Sequence, residues 1–235
     1  MRSLMHTLVL IVCTSLLAAA QAASTPQSAA TPVHKAASPA PAAGTDPAAI
    51  IHTTAGDLHC TLFPKIAPIG VANFIGLASG TKDWTSPVSH AKKHGVALYD
   101  GTVFHRVIPE FMVQGGDPKG DGTGDPGYKF KNEVSPDLLF DKPGRLAYAN
   151  AGPDTNGSQF FITEVPYPSL NGGYTIFGQC DDAAVVLVKK IARMATDGET
   201  PLRPIKITHI ETHRAGATTA KPAPKPAAAA KSPAN

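Results

Sequence analysis

Arginine, phenylalanine, methionine and glutamine crowd into one short run of this sequence in a way that solvation alone does not explain. The run is Phe104-His105-Arg106-Val107-Ile108-Pro109 and, one residue on, Phe111-Met112-Val113-Gln114-Gly115-Gly116-Asp117. Alternation with a period of two puts Met112 and Gln114 on one face of a strand and Val113 on the other. If Val113 enters a core, a thioether and an amide are left together outside it, an uncommon patch for a mere surface. A second run, Leu146 to Phe161, adds the small-residue loop Ala149-Asn150-Ala151 and the adjacent rings Phe160-Phe161. On a strand those two rings face opposite ways, one toward a core and one toward a surface pocket.

Other chemistries fit less well. Ser158 lies in Asn156-Gly157-Ser158-Gln159, which lacks the G-x-S-x-G pattern of a nucleophile elbow. Gly122 to Gly127 spells G-x-G-x-x-G, but Pro126 and Tyr128-Lys129-Phe130 do not open a helix, and Asp121 and Asp125 would repel a pyrophosphate. A calcium loop begun at Asp117 would place Lys119 and Tyr128 at ligand positions. The histidines show no ligand spacing, and His105 falls on the strand face opposite Arg106, so neither metal nor cofactor is expected. Taken alone, Arg106 would read as half of a surface salt bridge, and each of Phe111, Met112, Phe161 and Leu170 as packing. The set argues otherwise.

Two helices and many short strands must position these groups. Pro68 suits a first helical turn, Val71, Phe74, Ile75 and Ala78 form an apolar stripe, and Gly80 stops it. Asp181-Asp182 suits a second N-terminus, ahead of Val185, Val188, Ile191 and Ala192. Strands are expected at 58–63, 102–108, 111–115, 145–149, 160–163, 174–178 and 205–213, with 81–98 a surface insertion. Short strands with Gly- and Pro-rich turns and few helices point to a closed antiparallel barrel or a sandwich.

The two runs resemble the cyclophilin family of peptidyl-prolyl isomerases, and the likeness extends to Ala72-Asn73-Phe74, Tyr99-Asp100-Gly101-Thr102, Gly122-Thr123-Gly124 and Thr175-Ile176-Phe177-Gly178. The resemblance implies a mainly β fold, a closed eight-stranded antiparallel barrel capped by two helices, with a proline-binding groove outside it. It implies that Arg106 is the catalytic arginine, aided by Gln114 and Asn150. Phe111, Met112, Phe161 and Leu170 would line the proline pocket, Ala149 and Ala151 the strip along the substrate backbone, and Gly122 and Tyr174 the neighbouring rim. Ser169 stands where many members carry tryptophan and Tyr174 where many carry histidine, which argues against tight cyclosporin binding while leaving isomerisation intact. A proline-binding module or holdase without catalysis is the competing reading, set apart by Arg106, whose cation a pure binder would not need.

Composition bounds the rest. Residues 1–22 open with Arg2, run apolar from Leu8 to Leu17 and end Ala20-Gln21-Ala22, the pattern of a cleaved signal peptide. The apolar run is shorter than the roughly 20 residues that span a bilayer, so no stable membrane insertion is expected. Residues 23–47 and 214–235 are dominated by Ala, Pro, Ser, Thr and Lys, which cannot offset the entropy of ordering, leaving one domain over 48–213. The net charge of +3 comes from the ends: the tail carries Arg214, Lys221, Lys225 and Lys231, and the domain itself is −2, which argues against a nucleic-acid footprint with its concentrated basic face. Proline-containing polypeptides, among them unfolded or partly folded exported proteins, are the expected partners of a monomer in the periplasm or outside the cell. Cys60 and Cys180 remain after cleavage; so few cysteines make no framework, and the favoured reading is two buried thiols, with a disulfide left open.

Overall fold

Proline and glycine punctuate the chain as their backbone chemistry requires. In a computed structural model of the protein, residues 46–213 are described; the expected signal peptide (1–22), nearly all of the linker (23–47) and the tail (214–235) lie outside them. Helix α1 (Pro68–Ser79) starts on Pro68 and stops at Gly80, whose φ of 72° is the left-handed conformation that glycine adopts without penalty. Helix α2 (Asp182–Ala192) is capped by Asp181, whose carboxylate accepts the Ala184 N–H at 2.8 Å.

The strands are β1 (Ala48–Thr53), β2 (Gly56–Leu62), β3 (Trp84–Thr85), β4 (Lys92–Lys93), β5 (Arg106–Ile108), β6 (Met112–Gly115), β7 (Arg145–Tyr148), β8 (Phe160–Thr163), β9 (Ile176–Cys180), β10 (Thr196–Asp197), β11 (Thr200–Pro201) and β12 (Ile207–His213). Eight of them form one curled antiparallel sheet in the order β12-β1-β2-β9-β7-β8-β6-β5. The expected closed barrel is therefore corrected to a half-barrel, whose outermost strands β12 and β5 do not pair. A strip of bonds from the segment ahead of β5 crosses the gap, Phe104 N–H to the Ile205 carbonyl at 3.0 Å, Ile207 N–H to the Thr102 carbonyl at 2.8 Å and Gly101 N–H to the Ile207 carbonyl at 2.8 Å. The reason is local: within the expected strand 102–108, Val103 makes a single bridge to Lys206 and the ladder begins at Arg106.

Apolar side chains from the concave face and both helices fill the sheet's interior. Phe74, Tyr99, Phe104 and Phe160 meet there with ring centroids 5.2–6.3 Å apart, mostly edge to face, the arrangement that ring quadrupoles favour. Leu58, Leu62, Val113, Leu146 and Phe177 are fully buried beside them. One strand of the eight-stranded sheet went unexpected: β1 inserts Ala49 and Ile51 between β2 and β12. The segment 81–98 carries the small β3–β4 pair, with His94 Nδ1 2.7 Å from Asp83 at its surface.

Cys60 and Cys180 sit opposite one another on β2 and β9 and form a disulfide across a sequence separation of 120 residues. This corrects the expectation of two thiols. The antiparallel register, which sequence does not reveal, brings the pair together.

Candidate active site

Every strand that fills the interior also presents a second face, and four of them build a smaller apolar cluster there. Met112 of β6, Ala147 of β7, Phe161 of β8 and Ile176 of β9 are joined by Phe140, all at most 4% exposed. Their neighbours in sequence, Val113, Leu146, Phe160 and Phe177, point inward. Phe111, Leu170 and Tyr174 close over this cluster half-buried, and an open cleft lies above it. Phe161 stacks on Phe140 at 5.8 Å and takes the edge of Tyr174 at 5.5 Å; Phe111 leans on Tyr167 at 4.4 Å. The floor is thus rigid, apolar and aromatic.

Ten of the eleven residues singled out by sequence border this one cleft: Arg106, Phe111, Met112, Gln114, Gly122, Ala149, Asn150, Phe161, Leu170 and Tyr174. Ala151 instead lines the adjoining depression, together with Gln114, Gly122, Ala149, Asn150 and Gln159. His105, assigned from alternation to the far face, is buried but still borders the cleft, its ring close behind Gly122.

Polar groups form the rim as a chain. Arg106 stands opposite Gln114 in the β5–β6 register, and its Nη1 lies 3.4 Å from Gln114 Oε1. Gln114 Nε2 donates to Gln159 Oε1 at 2.9 Å, and Gln159 Nε2 donates to the carbonyls of Gly122 and Gly124 at 3.0 and 2.8 Å. Arg106 Nε donates to Glu199, and its guanidinium carbon lies 6.0 Å from the centre of the Phe111 ring. No partner for Arg106 Nη2 is found among the described residues. Asn150 ties its loop to a second one, donating to the Gly173 carbonyl at 3.0 Å and accepting from Gly152 N–H at 3.2 Å.

The loop with the G-x-G-x-x-G spelling has a structural task. Asp117 is fully buried, and its carboxylate accepts N–H groups from Lys119, Asp121, Gly122 and Gly124 at 2.6–3.3 Å. Gly122 needs its φ of 88° to make that turn. Beside it, Thr123 and Lys119 hold the Asp121 carboxyl well below the usual carboxylate range. Burial, aided by the Arg106 cation and opposed by Asp117 and Asp121, pulls the His105 imidazole below its ordinary value. Among the described residues no group of three His, Cys, Asp or Glu side chains is disposed to hold a metal ion, and none of their helices is long and apolar enough to cross a membrane.

Sequence reasoning missed Gln159 and Glu199. The first shares the alternation that sends Phe161 outward and was legible in principle. The second comes from the β10–β11 hairpin, 93 residues beyond Arg106, and only the turn dipeptide Asp197-Gly198 hints at it.

Known proteins match this architecture closely. The family model described as cyclophilin type peptidyl-prolyl cis-trans isomerase matches residues 48–212. Peptidyl-prolyl cis-trans isomerase A of Mycobacterium tuberculosis is 53% identical over 164 residues, covering 69% of this chain and 90% of that protein. The B isomerase of Streptomyces anulatus is 49% identical over 164 residues, 69% of this chain and 93% of its own. A crystal structure of a cyclophilin type isomerase from Cryptosporidium parvum superposes with a TM-score of 0.61 at 34% identity, covering 72% of this chain and 97% of that one. The same parasite protein in the presence of the dipeptide Ala-Pro gives 0.60 at 35% identity, covering 71% and 98%.

Proposed function

The chain belongs to the cyclophilin family and is a peptidyl-prolyl cis-trans isomerase, and from that premise we propose that the outer cleft is where it turns X-Pro bonds, with Arg106 as the catalytic group. The observation that carries this reading is a guanidinium fixed at the rim of an apolar, aromatic cleft, with Nη2 left without a partner among the described residues. Proline is the side chain such a cleft suits: compact, apolar and lacking a backbone donor. The Ala-Pro dipeptide studied with the parasite relative is of that chemistry.

Rotation about the X-Pro bond breaks amide resonance and leaves the prolyl nitrogen with a localised lone pair. The spontaneous event takes tens of seconds or more. In the twisted state Arg106 donates to that nitrogen, while Phe111, Met112, Phe161 and Leu170 hold the ring still. Gln114, braced by Gln159, and the Asn150 backbone face the path of the swinging carbonyl, and Ala149, Ala151, Gly122 and Tyr174 border the rest of the bound chain. Interactions stronger in the twisted geometry than in either planar one accelerate the step. Shortening a ten-second event to a tenth of a millisecond requires about 7 kcal/mol, at about 1.36 kcal/mol per decade. A charged hydrogen bond in a partly desolvated cleft together with a clamped ring is of that size.

The natural substrates in this reading are prolyl bonds of exported proteins that are still unfolded or partly folded. The leader pattern of residues 1–22 supports a site of action in the periplasm or the medium. The test of the site is Arg106→Ala in a protease-coupled assay on an Ala-Pro peptide: kcat/KM falls by about 100-fold or more with an unchanged melting curve, and a variant as fast as wild type refutes it. Export is checked by fractionating cells that make the full chain against one lacking residues 2–22; equal cytoplasmic retention of both would refute that part.

A further inference from the structure

Glu199 grips the strand that carries Arg106 at two points. Its carboxylate accepts the Arg106 Nε–H, and its backbone carbonyl accepts the N–H of the next residue, Val107, at 2.8 Å. The grip comes from a tight turn: Thr196 pairs with Pro201 and Asp197 with Thr200, and Gly198 takes the corner with a φ of 60°. Glu199 and Thr200 also border the cleft itself.

We infer that Glu199 is the positioning residue of Arg106. A guanidinium is a planar fork, so fixing Nε and one Nη fixes the direction of the other. With Nε held by Glu199 and Nη1 directed at Gln114, Nη2 is the donor left to face a prolyl nitrogen. The ion pair itself contributes little to stability, because its side chains are 38% and 53% exposed. Its effect lies in orientation, to which catalysis is far more sensitive than folding is. A competing role is physically distinct: a carboxylate that merely occupied Arg106 would slow the enzyme, and its removal would speed it.

This inference rests on the reading of Arg106 given above, and the test separates the two. Arg106→Ala, Glu199→Ala and Glu199→Gln are made in the full chain, kcat and KM are measured on an Ala-Pro peptide, and the arginine Nε–H resonance is followed by nitrogen-15 NMR. Glu199→Ala should lower kcat by about tenfold with KM within about twofold, since the lost term acts on the transition state alone. Glu199→Gln, which keeps an acceptor but not the charge, should fall between it and wild type. The Arg106 Nε–H signal should move upfield and exchange faster with water in both. Wild-type or raised kcat in Glu199→Ala, or a change confined to KM, overturns the inference while a slow Arg106→Ala leaves the site reading standing. A fast Arg106→Ala overturns both.

Discussion

The interior of the half-barrel and the cluster beneath the cleft are built from the same strands by alternate residues, yet they do different work. Val113, Leu146, Phe160 and Phe177 enter an apolar interior closed by two helices. Met112, Ala147, Phe161 and Ile176 enter a smaller cluster whose lid, Phe111, Leu170 and Tyr174, stays half-open. Both follow from burial of apolar area. What distinguishes them is that the outer cluster stops short of completion, leaving an apolar floor with Arg106 and Gln114 at its edge. A cleft of this kind is a core left unfinished on one side.

The contrast is sharpest at Phe160 and Phe161. Phe160→Ala should cost about 3–5 kcal/mol in urea unfolding, because it opens a cavity amid the fully buried rings of Phe74, Tyr99 and Phe104. Phe161→Ala should cost about 2 kcal/mol, since solvent can enter from the cleft, but should lower kcat/KM by at least about tenfold. Equal stability losses, or unchanged activity in Phe161→Ala, would erase the distinction between the two regions.

The Cys60–Cys180 bridge belongs to the interior and closes 120 residues of chain. Its reduction should remove about 2–5 kcal/mol of stability, mostly through the unfolded state, while kcat/KM of the still-folded enzyme stays within about twofold, as read in parallel denaturation and activity series. A large activity loss before unfolding would tie the bridge to the cleft.

His105 lies at the boundary between the two. Its pKa is lowered in the folded protein, so the unfolded chain binds its proton more readily. The stability it contributes is present above the ordinary imidazole value of about 6.5 and is lost as pH falls through that value toward the depressed one. Wild type should therefore lose more stability between neutral and mildly acidic pH than His105→Gln does; an equal loss, measured by urea titration at each pH, contradicts the assignment.

The smallest effect is expected at Ser169, exposed on the turn beside Leu170. Restoring an aromatic wall by Ser169→Trp should tighten cyclosporin binding by about tenfold, or 1.4 kcal/mol, with kcat/KM barely altered. Unchanged affinity in a calorimetric titration would remove Ser169 as a determinant of cyclosporin binding.

Local rules made much of this legible in advance. Pro68, Gly80 and Asp181 announced the helix ends because capping is decided within a turn. Alternation separated Met112 from Val113 and obliged Phe160 and Phe161 to face apart. Pairings across the fold were not legible: β1 lacked a polar-apolar alternation strong enough to stand out beside the Ala-rich linker, and the Cys60–Cys180 register exists only once β2 meets β9. Glu199 was hidden for the same reason, since nothing near it in sequence names Arg106 as its partner.

The central claim is that the open cluster with its cation catalyses rotation rather than only holding proline. Exchange NMR on one Ala-Pro peptide, with affinity and cis/trans exchange rate measured on the same samples of wild type and Arg106→Ala, tests it most directly. The account predicts that the variant binds within about threefold of wild type while its exchange rate falls about 100-fold or more. Exchange as fast as wild type, or affinity lost in step with rate, would contradict it.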